Sequence, residues 1–431
     1  MNYEETLNYL YNQLPMFQRI GGAAYKAGLE TSENLSNLLG NPHKAYKTIH
    51  VAGTNGKGST SHVIAAILQE NGYKVGLYTS PHLIDFRERI RVNGKMISKE
   101  YVTEFVKKIQ ASSFGGSPSF FELTMMMAFD FFRDENIDIA VIEVGLGGRL
   151  DSTNIISPIL SIITNISFDH TQFLGNTLPL IAAEKAGIIK ANTPVIIGEA
   201  NDDVRKVFED KAKSVTAPII FAEDKSQILS YKRHNDTLII ETLNNGIIVD
   251  ELSGDCQLKN ANTILTSIPV LKNLGLTISP ESIKNAFSSV CELTGLNGRW
   301  TIVSSNPRTI CDTGHNVGGI TYIANQLKSE QYKTLRMVIG FVNDKDITHI
   351  LDLLPKDATY YFTQAAIPRA LNSDELMTIA SHKGLVGACY CCVKEAYYAS
   401  LKEASKDDII FIGGSTFIVA DFIALLNHGK L

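Results

Sequence analysis

The residues with the plainest chemical meaning are Gly53-Thr54-Asn55-Gly56-Lys57-Gly58-Ser59-Thr60. They follow the apolar run Thr48–Ala52 and open a helical pattern. In that strand–loop–helix setting, backbone N–H groups turn onto phosphate oxygens and the helix N-terminus adds positive potential. Lys57 then reaches the β- and γ-phosphates of a nucleotide, and Ser59 or Thr60 offers a hydroxyl near Mg²⁺. The other reading is a Gly-rich turn with a solvated lysine, and the setting favours phosphate. Gly58 stands where the usual phosphate loop carries Ser or Thr, which points to a subclass.

Glu143 closes the apolar run Ile139–Ile142 and is followed by Gly145, Gly147 and Gly148, where a ligand can approach the backbone. A carboxylate at a buried strand end is costly without a cation, and a phosphate loop already implies Mg²⁺. Its other use would be to cap a neighbouring helix. Ser80 follows Lys74–Thr79 in a Ser-Pro-His turn. That places it at the sheet edge where α/β ligands collect, although serines are also ordinary turn residues. His170 follows the run Ile159–Thr164. Imidazole is an unusual magnesium ligand, so its chemistry alone reads as structural. Lys185, beside Glu184 in a helical pattern, reads as an exposed ion pair or a solvated lysine.

Positioning these residues takes a sheet whose strands end beside them. Short β-branched runs alternate with amphipathic patterns, which predicts parallel strands covered by helices. Strands are expected at Thr48–Ala52, Lys74–Thr79, Asp138–Val144, Ile159–Thr164 and Pro194–Ile197, and helices at Gly58–Glu70, Glu100–Ala111, Phe120–Asp134, Leu178–Ile189 and Asp202–Lys213. Alternation between Leu229 and Glu251 predicts a strand-rich insertion, with Asn245-Gly246 suited to a type I′ hairpin turn. A second series follows Trp300, with strands at Thr309–Cys311, Thr334–Ile339, Thr359–Phe362 and Asp408–Ile412. Its helices are expected at Val317–Lys328, Asp374–Ser381, Val393–Ala404 and Phe417–Leu426. The turn-prone Thr294-Gly295-Leu296-Asn297-Gly298 separates the series and sets the expected domains at 1–296 and 297–431.

The loop ending Lys-Gly-Ser resembles that of the Mur-type ATP-dependent amide ligases, in the folylpolyglutamate synthase/dihydrofolate synthase branch. Further segments resemble the same family in order: Ile49-His50-Val51-Ala52, Thr79-Ser80-Pro81-His82-Leu83, Phe120-Phe121-Glu122-Leu123-Thr124 and the run Glu143–Asp151. Asp169-His170-Thr171, Glu184–Lys190, Gln257-x-x-Asn260-Ala261, Gly298-Arg299, Asp312-x-x-His315-Asn316 and Asp344-Lys345-Asp346 continue the series. The resemblance spans nearly the whole chain. It implies a phosphate-loop, Mur-ligase-like ATPase domain with a mostly parallel sheet that also binds folate. A smaller Rossmann-like α/β glutamate-ligase domain would follow it.

The family pattern also implies roles. Thr54, Asn55, Gly56, Lys57, Gly58, Ser59 and Thr60 would surround the phosphates of ATP. Asn260 would read adenine, Arg299 and Asp312 would contact phosphate and ribose, and His315 would lie at the nucleotide site. Ser80, Glu143 and His170 would hold Mg²⁺ at two positions, and Lys185 would react with CO₂ to form a carbamate. Lys57, Lys185 and His170 are thereby the implied catalytic residues. Ser119, Phe120, Phe121 and Glu122, with Leu150, Asp151 and Ser152, resemble segments that contact dihydropteroate, and Lys26-Ala27-Gly28 a third. The helical periodicity of Phe120 and Phe121 favours the core instead. Two departures from the family fall in second-domain loops: Asn297 before Gly298-Arg299, where proline is frequent, and Asp312-Thr313-Gly314-His315, where Asp-Gly-Ala-His is commoner.

The implied reaction is ATP-dependent ligation of L-glutamate to a folate, to dihydropteroate, or to both, through an acyl phosphate. The nucleotide would bridge both domains and so favour their closure. A Mur-type ligase for a cell-wall precursor and a non-catalytic nucleotide-dependent binding module are the alternatives. Bulk properties agree with a globular enzyme. Among 431 residues, 44% are hydrophobic and 20% charged, which excludes a mostly disordered chain. The net charge of −5 gives no bulk grip on nucleic acid or anionic lipid. Met1-Asn2-Tyr3-Glu4-Glu5 carries acid where a signal peptide needs base, and even Phe411–Leu426 is interrupted by Asp421. The expectation is a cytoplasmic monomer with small-molecule substrates, and neither nucleic-acid nor membrane partners. Of the six cysteines, Cys389 and Cys392 have C-x-x-C spacing, but no second pair exists to complete a zinc ribbon. A metal site there is therefore not expected, and the six read mostly as buried thiols of a reducing compartment.

Overall fold

The computed structural model describes residues 1–16, 28–343 and 346–427. Lys26 and Ala27 of the third pteroate-like segment, and Asp344 and Lys345, lie outside the described residues. The chain divides into two compact units. One comprises Met1–His82, Phe86–Glu251 and Gln257–Leu296; the other runs from Asn297 onward and also takes in Leu83–Asp85 and Leu252–Cys256.

The first unit is built on β1 (Lys47–Ala52), β2 (Val75–Tyr78), β3 (Ile90–Val92), β4 (Lys95–Met96), β5 (Ile139–Glu143), β6 (Leu160–Ile163), β7 (Val195–Ile197) and β8 (Ile219–Phe221). Their order is β4-β3-β2-β5-β1-β6-β7-β8. All neighbours from β2 to β8 are parallel, while β3 and β4 form an antiparallel edge. Every residue of β5, β6 and β7 is buried, as continuous apolar strands of a covered parallel sheet should be. One core cluster joins Ala140 and Ile142 to Leu123, Phe129 and Phe132 of the helix Phe120–Asp134. Another joins Ile163 and Ile197 to Ala182, Ala186 and Phe208. Each buried Leu, Ile or Phe among them contributes about 1.5–3 kcal/mol relative to exposure, and each Ala less.

The chain leaves β1 toward β2, returns to insert β5 between them, and then continues past β1 to β6. Glu143 is level with Val51, and Ala52 with Ile163. The loops after β5, β1 and β6 therefore begin side by side at the carboxyl edge, where the strand order reverses and ligands collect.

Two local expectations change. The helix expected over Leu178–Ile189 stops at Ala186. The carbonyls of Gly187 and Ile188 accept from Asn154 Nδ2 (3.1 Å) and Ser161 Oγ (2.8 Å) instead of extending it. The insertion is a three-stranded sheet of β9 (Ile228–His234), β10 (Thr237–Thr242) and β11 (Gly246–Asp250), but its second hairpin is not a two-residue type I′ turn. Gly246 is paired with Thr242 in the ladder, so the loop has three residues and Gly246 takes the positive φ of 69°. Thr242 Oγ1, accepting from the N–H of Asn245 and donating to the carbonyl of Gly246, holds that wider loop.

The second unit contains β12 (Thr301–Ser305), β13 (Arg308–Cys311), β14 (Leu335–Ile339), β15 (Thr359–Phe362), β16 (Val386–Cys389) and β17 (Ile409–Gly413), ordered β12-β13-β17-β14-β15-β16. It is parallel except for the β12 edge. Helices Val317–Ser329, Ser373–His382, Val393–Glu403 and Thr416–Asn427 complete a Rossmann-like α/β unit. No helix among the described residues is long and apolar enough to cross a membrane.

Candidate active site

The loop after β1 is held from several directions. Gly56 caps the helix Lys57–Glu70 at φ 83°, and a Cβ there would lie 2.2 Å from Asn260 Oδ1. Only glycine lets the loop lie against that amide. Asn260 Nδ2 donates to Gln257 Oε1 (2.8 Å), and Gln257 Nε2 donates to Ser59 Oγ (3.3 Å). Lys57 folds back over the loop, its Nζ donating to the carbonyls of Gly53 (3.0 Å) and Thr54 (3.1 Å). Thr60 Oγ1 is buried without a hydrogen-bond partner.

The polar residues after β6 brace the same loop, a role that pattern reading missed. The N–H groups of Thr54 and Asn55 donate to the carbonyl of Asn165 (2.9 Å) and to Asn165 Oδ1 (2.8 Å). Thr54 Oγ1 donates to the carbonyl of Ser167 and accepts from its N–H, both at 3.1 Å, and Asn55 Nδ2 donates to Ser167 Oγ (3.2 Å). The visible signal was the polar run Asn165-Ile166-Ser167 straight after an apolar strand.

Beside the loop stand the acidic and basic candidates. Glu143 is only 3% exposed, and one carboxylate oxygen accepts from the N–H of Ser80 at 3.1 Å. His170 follows Asp169, which accepts from the N–H of His170 at 2.9 Å and lies 3.8 Å from its Nε2. Lys185 is neither solvated nor paired with Glu184. It is 4% exposed and donates to the carbonyl of Gly53 at 2.9 Å, whereas Glu184 pairs with Arg149. Burial, then the charge of Lys57, bring its ammonium down to about 7 against the opposing pull of Asp169 and Asp151. Lys57 and Lys185 thus converge on one backbone carbonyl. Two ammonium groups so placed, one of them desolvated, favour an anionic occupant or a neutral amine.

The pteroate-like segments use several of their polar groups internally. Ser119 and Glu122 form a capping box at the start of Phe120–Asp134, with the N–H of Ser119 donating to Glu122 Oε2 at 2.7 Å. Phe120 is a core residue, packed on Tyr11 and Phe86 with the Arg89 guanidinium over its ring. Phe121 is half-buried beside Tyr78 and reaches the glycine-rich loop after β5. A Cβ at Gly145 would meet Phe121 Cζ at 2.5 Å and Asp151 Oδ2 at 3.2 Å. Asp151, next to Leu150, caps the turn Ser152–Ile155 and accepts from the N–H of Leu146 (2.8 Å) and of Thr153 (3.0 Å). Burial raises its carboxyl above the usual range, and these bonds oppose that shift. Phe121 and Asp151 therefore meet at the loop that follows Glu143.

In the second unit, Arg299 hydrogen-bonds to Thr313 Oγ1 and to the carbonyl of Gly298 (3.2 Å). Asp312 accepts from the N–H groups of Trp300 and Gly314, both at 2.7 Å. Burial raises the Asp312 carboxyl and nearby Arg299 lowers it. His315 Nδ1 lies 3.0 Å from the carbonyl of Thr313. Hydrogen bonds thus tie the segment of Arg299 before β12 to the loop after β13 that carries Asp312 and His315.

The chain is similar to known proteins over most of its length. Residues 51–265 match the Mur ligase middle domain and residues 298–416 the Mur ligase glutamate ligase domain. A folylpolyglutamate synthase of Lacticaseibacillus casei is 31% identical, with 100% of each chain covered. The Escherichia coli FolC structure in complex with DHPP and ADP superposes with a TM-score of 0.87 at 29% identity, covering 100% of this chain and 99% of that one. A bifunctional folylpolyglutamate synthase/dihydrofolate synthase with Mn, AMPPNP and L-glutamate bound gives 0.82 at 28% identity over 99% of this chain and 98% of that one. The chain spans about half the length of the first curated relatives it matches, two archaeal proteins.

Proposed function

The chain belongs to the folylpolyglutamate synthase/dihydrofolate synthase family of Mur-type ligases, and from that membership we propose that it joins L-glutamate to a folate, and also to dihydropteroate, at the expense of ATP. The observation that carries this reading is the convergence at one sheet edge. The phosphate-type loop after β1, the buried Glu143 after β5 and the braces after β6 begin side by side, with Lys185 on the carbonyl of Gly53.

The acceptor carboxylate, that of dihydropteroate or the γ-carboxylate of a folate, attacks the γ-phosphorus; its O–P bond forms as the bond to ADP breaks, leaving an acyl phosphate. The glutamate amine then attacks the acyl carbon, the C–N bond forms, and phosphate and a proton leave. Thr54 through Thr60 present N–H and hydroxyl groups to the phosphates, and Lys57 moves from the loop carbonyls to the charge on the γ-phosphoryl group. Ser80 and Glu143 suit magnesium, since a buried carboxylate beside a hydroxyl-bearing turn is a hard oxygen donor set; His170 is assigned to the metal from the family pattern. Two magnesium positions there would supply charge neutralisation on the transferring group. Asn260 is assigned to adenine, and Arg299, Asp312 and His315 to the phosphate and ribose. Phe121 and Asp151 are assigned to the pteroyl group, with Ser119, Glu122, Leu150 and Ser152 shaping its surroundings. In this reading the enzyme works in the cytoplasm, as a monomer, on small molecules.

The deciding assay is ATP hydrolysis with dihydropteroate or a reduced folate, each with and without L-glutamate. Turnover that needs a pteroyl compound and glutamate together is expected. Hydrolysis indifferent to both would favour a nucleotide-dependent binding module, and dependence on a cell-wall nucleotide precursor would favour the other Mur-type ligases.

Glu143→Ala should lower turnover on the order of a hundredfold and raise the magnesium concentration needed for half-activity. Its removal deprives Ser80 of an acceptor and the site of its buried anion. A magnesium titration coinciding with that of the parent chain would exclude Glu143 as a ligand.

A further inference from the structure

Away from these residues, one set of metal-type donors converges among the described residues, in the second unit. The Sγ atoms of Cys391 and Cys392 and a carboxylate oxygen of Glu395 all lie within 4.8 Å of one another. The local fold produces this grouping. β16 ends at Cys389, and Cys392 is the N-cap residue of the helix Val393–Glu403. Cys391 precedes that cap and Glu395 lies in the first turn of the helix, where the two side chains meet. Cys391 Sγ donates to Glu395 Oε2 at 3.1 Å. Cys391 and Glu395 are exposed and Cys392 half-buried, so solvent reaches the group. Cys389, which gives the C-x-x-C spacing, is engaged elsewhere, its Sγ donating to Asp374 Oδ1 at 2.9 Å.

We propose that Cys391, Cys392 and Glu395 bind one thiophilic divalent cation of the zinc or cadmium type. Two sulfurs and one carboxylate suit a soft or borderline ion, whereas magnesium takes a shell of oxygens. Three protein ligands leave a fourth position for water, the arrangement of an open rather than a closed site. Zinc–sulfur bonds of about 2.3 Å and zinc–oxygen bonds of about 2.0–2.2 Å place tetrahedral ligands roughly 3.5–4 Å apart, so the donor separations, 3.1 Å between Cys391 and Glu395 and none above 4.8 Å, need adjust by no more than about an ångström. Exposed side chains make that adjustment by rotation about their own bonds. On binding, both thiols release their protons to solvent, two sulfur–metal bonds form, and Glu395 exchanges the hydrogen bond from Cys391 for the ion. No oxidant or reductant is involved. The cysteine spacing argues against a metal here when only paired C-x-x-C motifs are counted, whereas these donors come from a Cys-Cys-x-x-Glu turn.

The test is a cadmium titration of the full chain, kept reduced with a phosphine. It is read by thiolate-to-cadmium charge-transfer absorption and by metal retained after desalting. One cadmium per chain is expected, with the absorption band. The double variant Cys391→Ser/Cys392→Ser should lose both while keeping the parent circular dichroism and ligase turnover. Glu395→Gln should weaken binding on the order of tenfold. The proposal is overturned if the parent chain shows no band, if the double variant keeps it, or if Cys389→Ser alone removes it.

Discussion

Lys57→Ala should reduce ligase turnover by roughly three orders of magnitude, the scale on which one positioned cation acts in phosphoryl transfer. The side chain donates to the carbonyls of Gly53 and Thr54, so its ammonium already rests on the loop that would cradle the phosphates. Truncation removes two partly exposed hydrogen bonds whose loss costs about 1–3 kcal/mol together, too little to unfold a two-unit chain. The loop keeps its other supports, because Asn165 and Ser167 bind the backbone and side chains of Thr54 and Asn55. The variant should therefore show the parent melting transition to within a few degrees and still bind nucleotide, with the loss in kcat. Lys57→Arg should recover little, because a planar guanidinium does not reproduce a compact ammonium at that depth. A Lys57→Ala enzyme with near-parent kcat would remove the loop from the mechanism.

What could be foreseen follows physical range. The phosphate-type loop is local: its glycines, lysine and flanking strand and helix lie within a short stretch, so the expected strand–loop–helix setting is the one that forms. The helix Phe120–Asp134 is equally local, with Ser119 and Glu122 spaced for a capping box and an apolar run behind them. The same spacing carries two readings, a helix cap and an implied pteroyl contact, and the cap is the one with hydrogen bonds in place, between Ser119 and Glu122. Edge strands β3 and β4 have three and two residues, too few for alternation to register. The helix Cys256–Asn273 was not foreseen as an element; it contains Pro269 and is rich in buried Asn and Thr, which disguise an interior helix as a polar turn region. Asn260 was identified as a residue, yet its contact with Gly56 exists only once that helix packs on the loop. The burial of Lys185 is the extreme case. Its partner, the carbonyl of Gly53, is remote in sequence, and an isolated Glu-Lys pair in a helical pattern gives no sign of it.

Lys185 is also where the second large effect is expected. An ammonium at that depth beside Lys57 is costly, and burial with that neighbouring charge brings its titration down to about 7. The neutral amine fraction therefore rises as pH climbs through about 7, and the neutral amine is the form that attacks CO₂. Its nitrogen bonds to the carbon of CO₂, one proton leaves to solvent, and a carbamate anion results. The carbamate keeps one N–H, which can retain the hydrogen bond to the carbonyl of Gly53, while its new oxygens meet Lys57 or a bound cation. Asp169 and Asp151 lie on the same side of the balance, so the new anion needs that cationic company. The modification thus replaces two opposed ammonium groups with an ion pair. Lys185→Ala should lower turnover by about two to three orders of magnitude. Added formate or acetate should restore part of it, because a small carboxylate can fill the truncated space and supply the missing anion. Lys185→Arg, permanently charged, should not respond to those acids. In the parent chain, isotope-labelled bicarbonate should give a carbamate carbon signal that strengthens as pH rises through about 7 and is absent from both variants. Parent-like turnover by Lys185→Ala at saturating magnesium would leave the carbamate without a catalytic role. A severe loss that no carboxylic acid relieves would make Lys185 a support of the Gly53 carbonyl alone.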